Sequence, residues 1–120
     1  MEKNFGEFIK EKRMDKNISL REMAAKLNIA PSYLSDIEKD RRYAPDREKI
    51  LEISGILDIH SGDRDLLFDL AGNSKDAIAP DLPDYIMENE KVRVLLRKAK
   101  DKQVTNDKLD KIIKMLERED

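Results

Sequence analysis

The sequence predicts an all-α protein in which five short helices form one domain, followed by a linker and a C-terminal helical hairpin. Two observations predict this fold. Apolar residues recur at three- and four-residue spacing, and no segment shows the strict alternation typical of β-strands. Residues that favour helix starts and helix ends stand between these apolar runs. We expect the domain at residues 1–72, the linker at 73–83 and the hairpin at 84–120.

The first two helices are predicted over about 4–16 and 20–27. Asn17 is a suitable stop between them, because Asn tolerates the left-handed backbone that ends many helices. Ser19 and Glu22 have the spacing of a capping box, which marks the start of the second helix. The apolar residues expected to face the core are Phe5, Phe8, Ile9, Met23, Ala24 and Leu27.

Three further helices are predicted in the first domain. The third begins at Pro31, a residue type favoured at the first helical position, and ends near Lys39. Asp46 is expected to cap the fourth helix, and Ser61 to cap a fifth that ends at Gly72. The apolar residues at helical spacing are Leu34, Ile37, Ile50, Ile53, Leu57, Leu66, Leu67 and Leu70.

The C-terminal third is predicted to contain two more helices, over about 84–100 and 106–118, with Thr105 as the cap of the second. Two prolines before them interrupt any helix and favour a linker. The apolar stripes consist of Leu82, Tyr85, Ile86, Val92, Leu95, Leu96 and Ala99, and of Leu109, Ile112, Ile113 and Leu116. The hairpin must cover these stripes, either on the fifth helix or on a second subunit.

Residues 20–39 meet the steric demands of two helices that cross at a steep angle after a three-residue turn. Ala24 stands where the helices approach most closely, so a larger side chain would separate them. Asn28 occupies the turn position that requires a left-handed backbone, and Ile29 fills the space beneath the turn. This spacing is typical of a helix-turn-helix.

The pattern resembles the Xre/Cro/cI-like helix-turn-helix DNA-binding proteins, over about residues 5–72. It departs from the family at Leu20, where Gln usually helps to hold a phosphate, and at Ala30, where Ser or Thr is common. Asn28 and Asp40 replace the usual Gly, and both residue types tolerate that backbone. The matching residues are Ser19, Glu22, Met23, Ala24, Leu27, Asn28, Ile29, Ser32, Tyr33, Leu34, Ser35, Ile37 and Glu38.

The resemblance implies that the third helix enters the major groove of DNA. A helical rotation of about 100° per residue, with Leu34 and Ile37 inward, turns the polar residues outward. Their chemistry suits base contacts, although Asp36 is equally suited to repelling phosphate or capping locally. The base-contact candidates are Ser32, Tyr33, Ser35 and Asp36. The phosphate-contact candidates are Arg13, Lys39, Arg41, Arg42 and Tyr43. The family also implies a structural ion pair between Arg13 and Glu38.

Composition limits the other possible functions. The 120 residues include 24 basic and 26 acidic side chains, and residues 1–50 carry 12 basic against 10 acidic, so a basic patch is compatible with the acidic chain. There is no Cys, one His and no glycine-rich phosphate loop, so we expect no catalytic residue, metal or cofactor. The charged start and the lack of a long apolar run favour a cytoplasmic location without membrane contact.

Two functions fit these observations. The first is a sequence-specific transcriptional regulator that represses by binding a palindromic operator in double-stranded DNA as a homodimer. The second is an antitoxin-like protein, whose C-terminal helices bind a partner protein and whose DNA binding serves autoregulation. The basic run Arg93, Arg97, Lys98, Lys100 and Lys102 is either a solvated helix face or a contact to flanking phosphate.

Overall fold

The computed structural model describes residues 3–118, and within that range every regular element is a helix. The all-α prediction is therefore confirmed. The helices are α1 (Phe5–Asp15), α2 (Leu20–Leu27), α3 (Pro31–Glu38), α4 (Arg47–Ile56), α5 (Ser61–Ser74), α6 (Pro83–Glu88), α7 (Glu90–Asp101) and α8 (Asn106–Glu117). The chain divides into two compact units, Met1–Pro83 and Asp84–Asp120.

The first unit packs α1–α5 around one apolar core. Helix α1 lies against α3 and α5, and α2 lies against α3 and α4. The helix-turn-helix side chains predicted to face inward are all buried, so that part of the prediction is confirmed. The largest fully buried side chains are Ile9, Met23, Leu27, Leu34, Ile37, Ile50, Ile53, Leu57 and Leu67.

Local capping explains where most helices of this unit begin. The Glu7 N–H donates to Asn4 Oδ1 at 2.8 Å, so Asn4 is the N-cap of α1 and not its first residue. Ser19 and Glu22 make the predicted capping box at the start of α2. The Lys49 N–H donates to Asp46 Oδ1 at 2.9 Å, which satisfies one donor in the first turn of α4.

Helix α5 differs from the prediction at both ends. Its N-cap is His60, whose side chain makes no capping bond, so the assignment of Ser61 as cap is wrong. Gly72 does not end the helix, which continues to Ser74. A Cβ on Gly72 would lie 2.7 Å from Ala77 O, so glycine is required there by a close backbone approach. Leu66, expected in the core, is 44% exposed.

The segment after α5 folds back on that helix, which its linker-like composition did not predict. The Ala77 N–H donates to Gly72 O at 2.9 Å, and Ala79 is buried. Ser74 Oγ accepts from the Ala44 N–H at 3.1 Å, so α5 also anchors the loop that follows α3.

The second unit contains α6, α7 and α8. The single helix predicted over 84–100 is broken at Asn89, which adopts an extended backbone. Arg93 Nη1 donates to Ile86 O at 2.8 Å and to Met87 O at 2.5 Å, so the arginine satisfies carbonyls at the end of α6. Thr105 caps α8 as predicted. None of the described residues in α6–α8 is buried.

Candidate nucleic-acid interface

Helices α2 and α3 are joined by the turn Asn28-Ile29-Ala30. Asn28 has a φ of 57°, the left-handed conformation that the turn requires. The Ile29 N–H then donates to Ala24 O at 3.0 Å, which ties the turn to the end of α2. Ile29 is half-buried and packs against the core, while Ala30 holds an extended backbone before Pro31. The turn therefore fixes the direction in which α3 leaves.

Helix α3 buries one face and presents the other. Leu34 and Ile37 lie in the core, and Ser32 and Lys39 are exposed. The remaining base-contact candidates are half-buried: Tyr33, Ser35 and Asp36. Helical rotation places Ser32, Ser35, Asp36 and Lys39 on one side, with Tyr33 at its edge. The structure therefore places Ser32, Ser35 and Asp36 on the outward side of α3, with the half-buried Tyr33 at its edge.

Arg42 lies over the ring of Tyr33. Its guanidinium carbon is 5.3 Å from the ring centroid, within the range of a cation–π interaction. Tyr33 also packs against the core, so the ring has support on two sides. This contact holds a positive charge beside the outward side of α3.

The loop after α3 begins with a tight helix-ending turn. Asp40 has a φ of 60°, and its N–H donates to Ile37 O at 3.1 Å. The Arg41 N–H donates to Asp36 O at 2.8 Å, which completes a Schellman motif. Arg41 Nη1 lies 4.0 Å from Asp36 Oδ1. An open depression of about 610 Å³ is lined by Asp40, Arg41, Arg42 and Tyr43 of this loop and by Ser74 of α5.

A buried ion pair links α1 to the end of α3. Arg13 Nε donates to Glu38 Oε2 at 2.8 Å, and Nη2 donates to Glu38 Oε1 at 2.9 Å. Arg13 Nη1 donates to Ile18 O at 2.9 Å. The residues are 9% and 6% exposed. Hydrogen bonding to Glu38 raises the pKa of the Arg13 guanidinium, against the opposing effect of burial. Because all three nitrogens are engaged inside the unit, Arg13 is not among the phosphate contacts that we propose.

Sequence reasoning missed a residue that positions α3 from behind. Gly6 is buried in the first turn of α1, and a Cβ there would lie 2.2 Å from Ile37 O and 2.7 Å from Glu38 O. Helices α1 and α3 can therefore lie this close together only because residue 6 has no side chain. The available signal was a glycine inside a helix, where this residue type is unfavourable unless packing requires it.

Residues 3–118 contain no group of three or more His, Cys, Asp or Glu side chains that could hold a metal ion. His60 is exposed, and its Nε2 lies 2.7 Å from Asp58 Oδ1. Within this described range no helix is long and apolar enough to cross a membrane.

Comparison with known proteins gives matches for the first unit. Residues 9–63 match the family model described as helix-turn-helix. The chain is 39% identical over 54 residues to the HTH-type transcriptional regulator SinR of Bacillus subtilis (strain 168), which is 45% of this chain and 49% of that protein. The same figures hold for SinR of Bacillus licheniformis. The chain thus spans about half the length of the curated relatives it matches. No solved structure matches.

Proposed function

We propose that this protein is a sequence-specific DNA-binding transcriptional regulator of the Xre/Cro/cI-like type, because residues 9–63 match the helix-turn-helix family model. The observation that carries the proposal is the uncovered polar face of α3, which stands beside a cationic loop. Serine hydroxyls there can donate to or accept from base edges, and the Tyr33 ring can contact a thymine methyl group. In this arrangement α3 lies in the major groove with Ser32, Tyr33, Ser35 and Asp36 toward the bases.

Phosphate contacts come from residues at the end of α3 and in the loop that follows. Lys39 and Tyr43 are exposed, and Arg42 is held over Tyr33. Such contacts fix the position of the helix on DNA and supply affinity without reading sequence. They also make binding salt-dependent, because each neutralised phosphate releases counterions.

The regulator acts as a homodimer that represses by covering a promoter. One recognition helix reads only a few base pairs, and a two-fold protein reads an inverted repeat. Helices α7 and α8 supply apolar surface for such an assembly, since most large side chains of their stripes are exposed within the unit. The exposed large apolar side chains of these helices are Val94, Leu95, Leu96, Leu109, Ile113, Met115 and Leu116.

The same uncovered surface favours a second candidate function. An antitoxin-like protein would use α7 and α8 to bind a different protein and would use DNA binding for autoregulation. The two candidates differ in what covers these helices. A self-sufficient homodimer supports the regulator, and a stoichiometric second protein that co-purifies from the native host supports the antitoxin.

Selection from a pool of random duplex DNA tests the DNA-binding proposal. We expect the purified protein to enrich an inverted repeat whose half-sites lie about one helical turn apart. The variant Ser32→Ala/Tyr33→Ala/Ser35→Ala should lose the preference at the positions that these three side chains contact. The variant Lys39→Ala/Arg42→Ala should keep the preference, bind all sequences more weakly and show a shallower salt dependence. Failure of the unmodified protein to enrich any sequence at moderate salt would refute the proposal.

The dimer is tested by light scattering coupled to size-exclusion chromatography. Leu96→Glu places a charge in the apolar stripe of α7 and should convert the dimer to a monomer, because an unpaired charge in an apolar interface is strongly unfavourable. Lys98→Glu introduces the same side chain on the exposed polar side of α7 and serves as the control, which should remain dimeric. A protein that is monomeric at concentrations where it binds the inverted repeat would contradict this assembly.

A further inference from the structure

The end of α3 places a hydrogen-bond acceptor and a hydrogen-bond donor side by side. Asp36 Oδ1 and Arg41 Nη1 lie 4.0 Å apart, and their side chains are 38% and 67% exposed. An ion pair this long and this exposed adds little to folding stability, typically about 0–1 kcal/mol. The ion pair by itself therefore does not explain why these two side chains lie next to each other on the outward side of α3.

The backbone, and not the ion pair, holds the two residues together. Asp40 adopts the left-handed conformation, and this reverses the chain so that the Arg41 N–H reaches Asp36 O at 2.8 Å. Arg41 thus returns toward the last turn of α3 instead of leading away along the loop. Its neighbour Arg42 is held differently, with its guanidinium over the Tyr33 ring. The two adjacent arginines consequently have different surroundings.

We propose that Asp36 and Arg41 act as one specificity-determining pair that reads a single C·G base pair in the major groove. The inference rests on the DNA binding proposed above. Cytosine presents the N4 amino group as a donor, and guanine presents O6 and N7 as acceptors. The carboxylate of Asp36 accepts from cytosine N4, and the guanidinium of Arg41 donates to guanine O6 and N7. The acceptor–donor order of Asp36 and Arg41 is therefore complementary to the donor–acceptor order of the base pair.

The pairing with Arg41 also reduces the repulsion between the Asp36 carboxylate and the DNA phosphates. A lone carboxylate near two phosphate strands is repelled, and that repulsion is least screened at short distance. Arg41 lies beside Asp36 and offsets its charge, so the pair is electrically neutral as it enters the groove. Arg41 then contacts a base, and the phosphate contacts come from Lys39, Arg42 and Tyr43.

The test is selection from the random duplex pool with the unmodified protein, Asp36→Ala, Arg41→Ala and the double variant. Affinities are then measured for the enriched site and for versions of that site in which each base pair in turn is changed. Unmodified protein should prefer C·G at one position of each half-site. Each single variant should reduce that preference by about tenfold or more at the same position, and the double variant should reduce it no further. Asp36→Asn should change the preferred base from cytosine to adenine, which Asn recognises.

Arg42→Ala is the matched control, because it removes the same charge from the adjacent position. It should weaken binding to all sequences and reduce the salt slope by about one, with the base preference unchanged. If Arg41→Ala gives that result instead, Arg41 contacts phosphate and the inference is overturned. It is equally overturned if Asp36→Ala raises affinity for every sequence without altering preference. Should unmodified protein enrich no sequence at all, the proposed DNA binding itself fails and the inference falls with it.

Discussion

Replacement of Gly6 by alanine should destabilise the first unit through a clash between α1 and α3. The added Cβ would lie 2.2 Å from Ile37 O, whereas ordinary contacts begin at 3.4 Å, so the helices must separate by about 1.2 Å (3.4 − 2.2) along that direction. Glu38 O is also too close, at 2.7 Å. Both neighbours are backbone atoms at the end of a packed helix, so neither can rotate away as a flexible side chain would.

The expected size follows from two opposing effects. Overpacking of a well-packed site costs about 1–3 kcal/mol and occasionally more, and the two backbone contacts here place Gly6→Ala at the upper end of that range. Alanine regains up to about 1 kcal/mol of helix propensity over glycine. We therefore expect a net loss of about 2 kcal/mol in the free energy of unfolding. That loss corresponds to a decrease in Tm of about 8–16 °C for a domain of this size.

Urea denaturation followed by circular dichroism measures this loss, and Gly55→Ala is its control. Gly55 lies inside α4, and a Cβ there would meet nothing within 4 Å. The control should gain about 0.5–1 kcal/mol, because only helix propensity changes. The signs of the two changes should therefore be opposite. If Gly6→Ala raises stability, or changes it by the same amount as Gly55→Ala, the close approach of α1 to α3 is not what requires glycine.

Two further substitutions test the residues around the end of α3. Arg13→Lys keeps the charge but loses the two-pronged contact with Glu38, so urea denaturation should show a loss of about 2 kcal/mol. Because the pKa of Arg13 is raised in the folded protein, the stability that its charge contributes is complete below the pKa of an unfolded arginine. That contribution is lost only in strongly alkaline solution. The loss of stability in Arg13→Lys should therefore be constant from pH 6 to 9. Asp40→Gly should raise Tm, since glycine relieves up to about 1 kcal/mol at a φ of 60°; a lower Tm would show that the Asp40 side chain stabilises the turn.

The helix-turn-helix could be predicted in detail because short-range interactions determine it. The contacts of Ser19 with Glu22 span three residues, and the left-handed backbone at Asn28 is a property of the turn itself. A buried stripe at helical spacing then fixes which side of each helix faces inward. The polar side of α3 follows from Leu34 and Ile37, so its candidate residues could be assigned without coordinates.

The features that escaped prediction depend on contacts that local sequence does not reveal. The sequence favours Gly72 as a helix end, but glycine is needed there because the backbone of residues 77–79 lies against it. Asn89 interrupts a stretch with good helical spacing, and the carbonyls exposed by that break are satisfied by Arg93 from the next helix. In both cases the deciding partner lies several residues away and is recognisable only once the chain has folded back.

The two sides of α3 separate the residues that hold the helix from those that would read DNA. Gly6 and Arg13 contact its inner side at Ile37 and Glu38, whereas Asp36 lies on the outer side. Substitutions on the inner side should lower stability and weaken binding to every DNA sequence in parallel, because they displace the helix as a whole. Substitutions of Ser32, Ser35 or Asp36 on the outer side should change the preferred sequence while the free energy of unfolding stays within about 0.5 kcal/mol of the original. An inner-side variant that altered base preference at unchanged stability would show that the position of α3, and not only its outer residues, determines which sequence is bound.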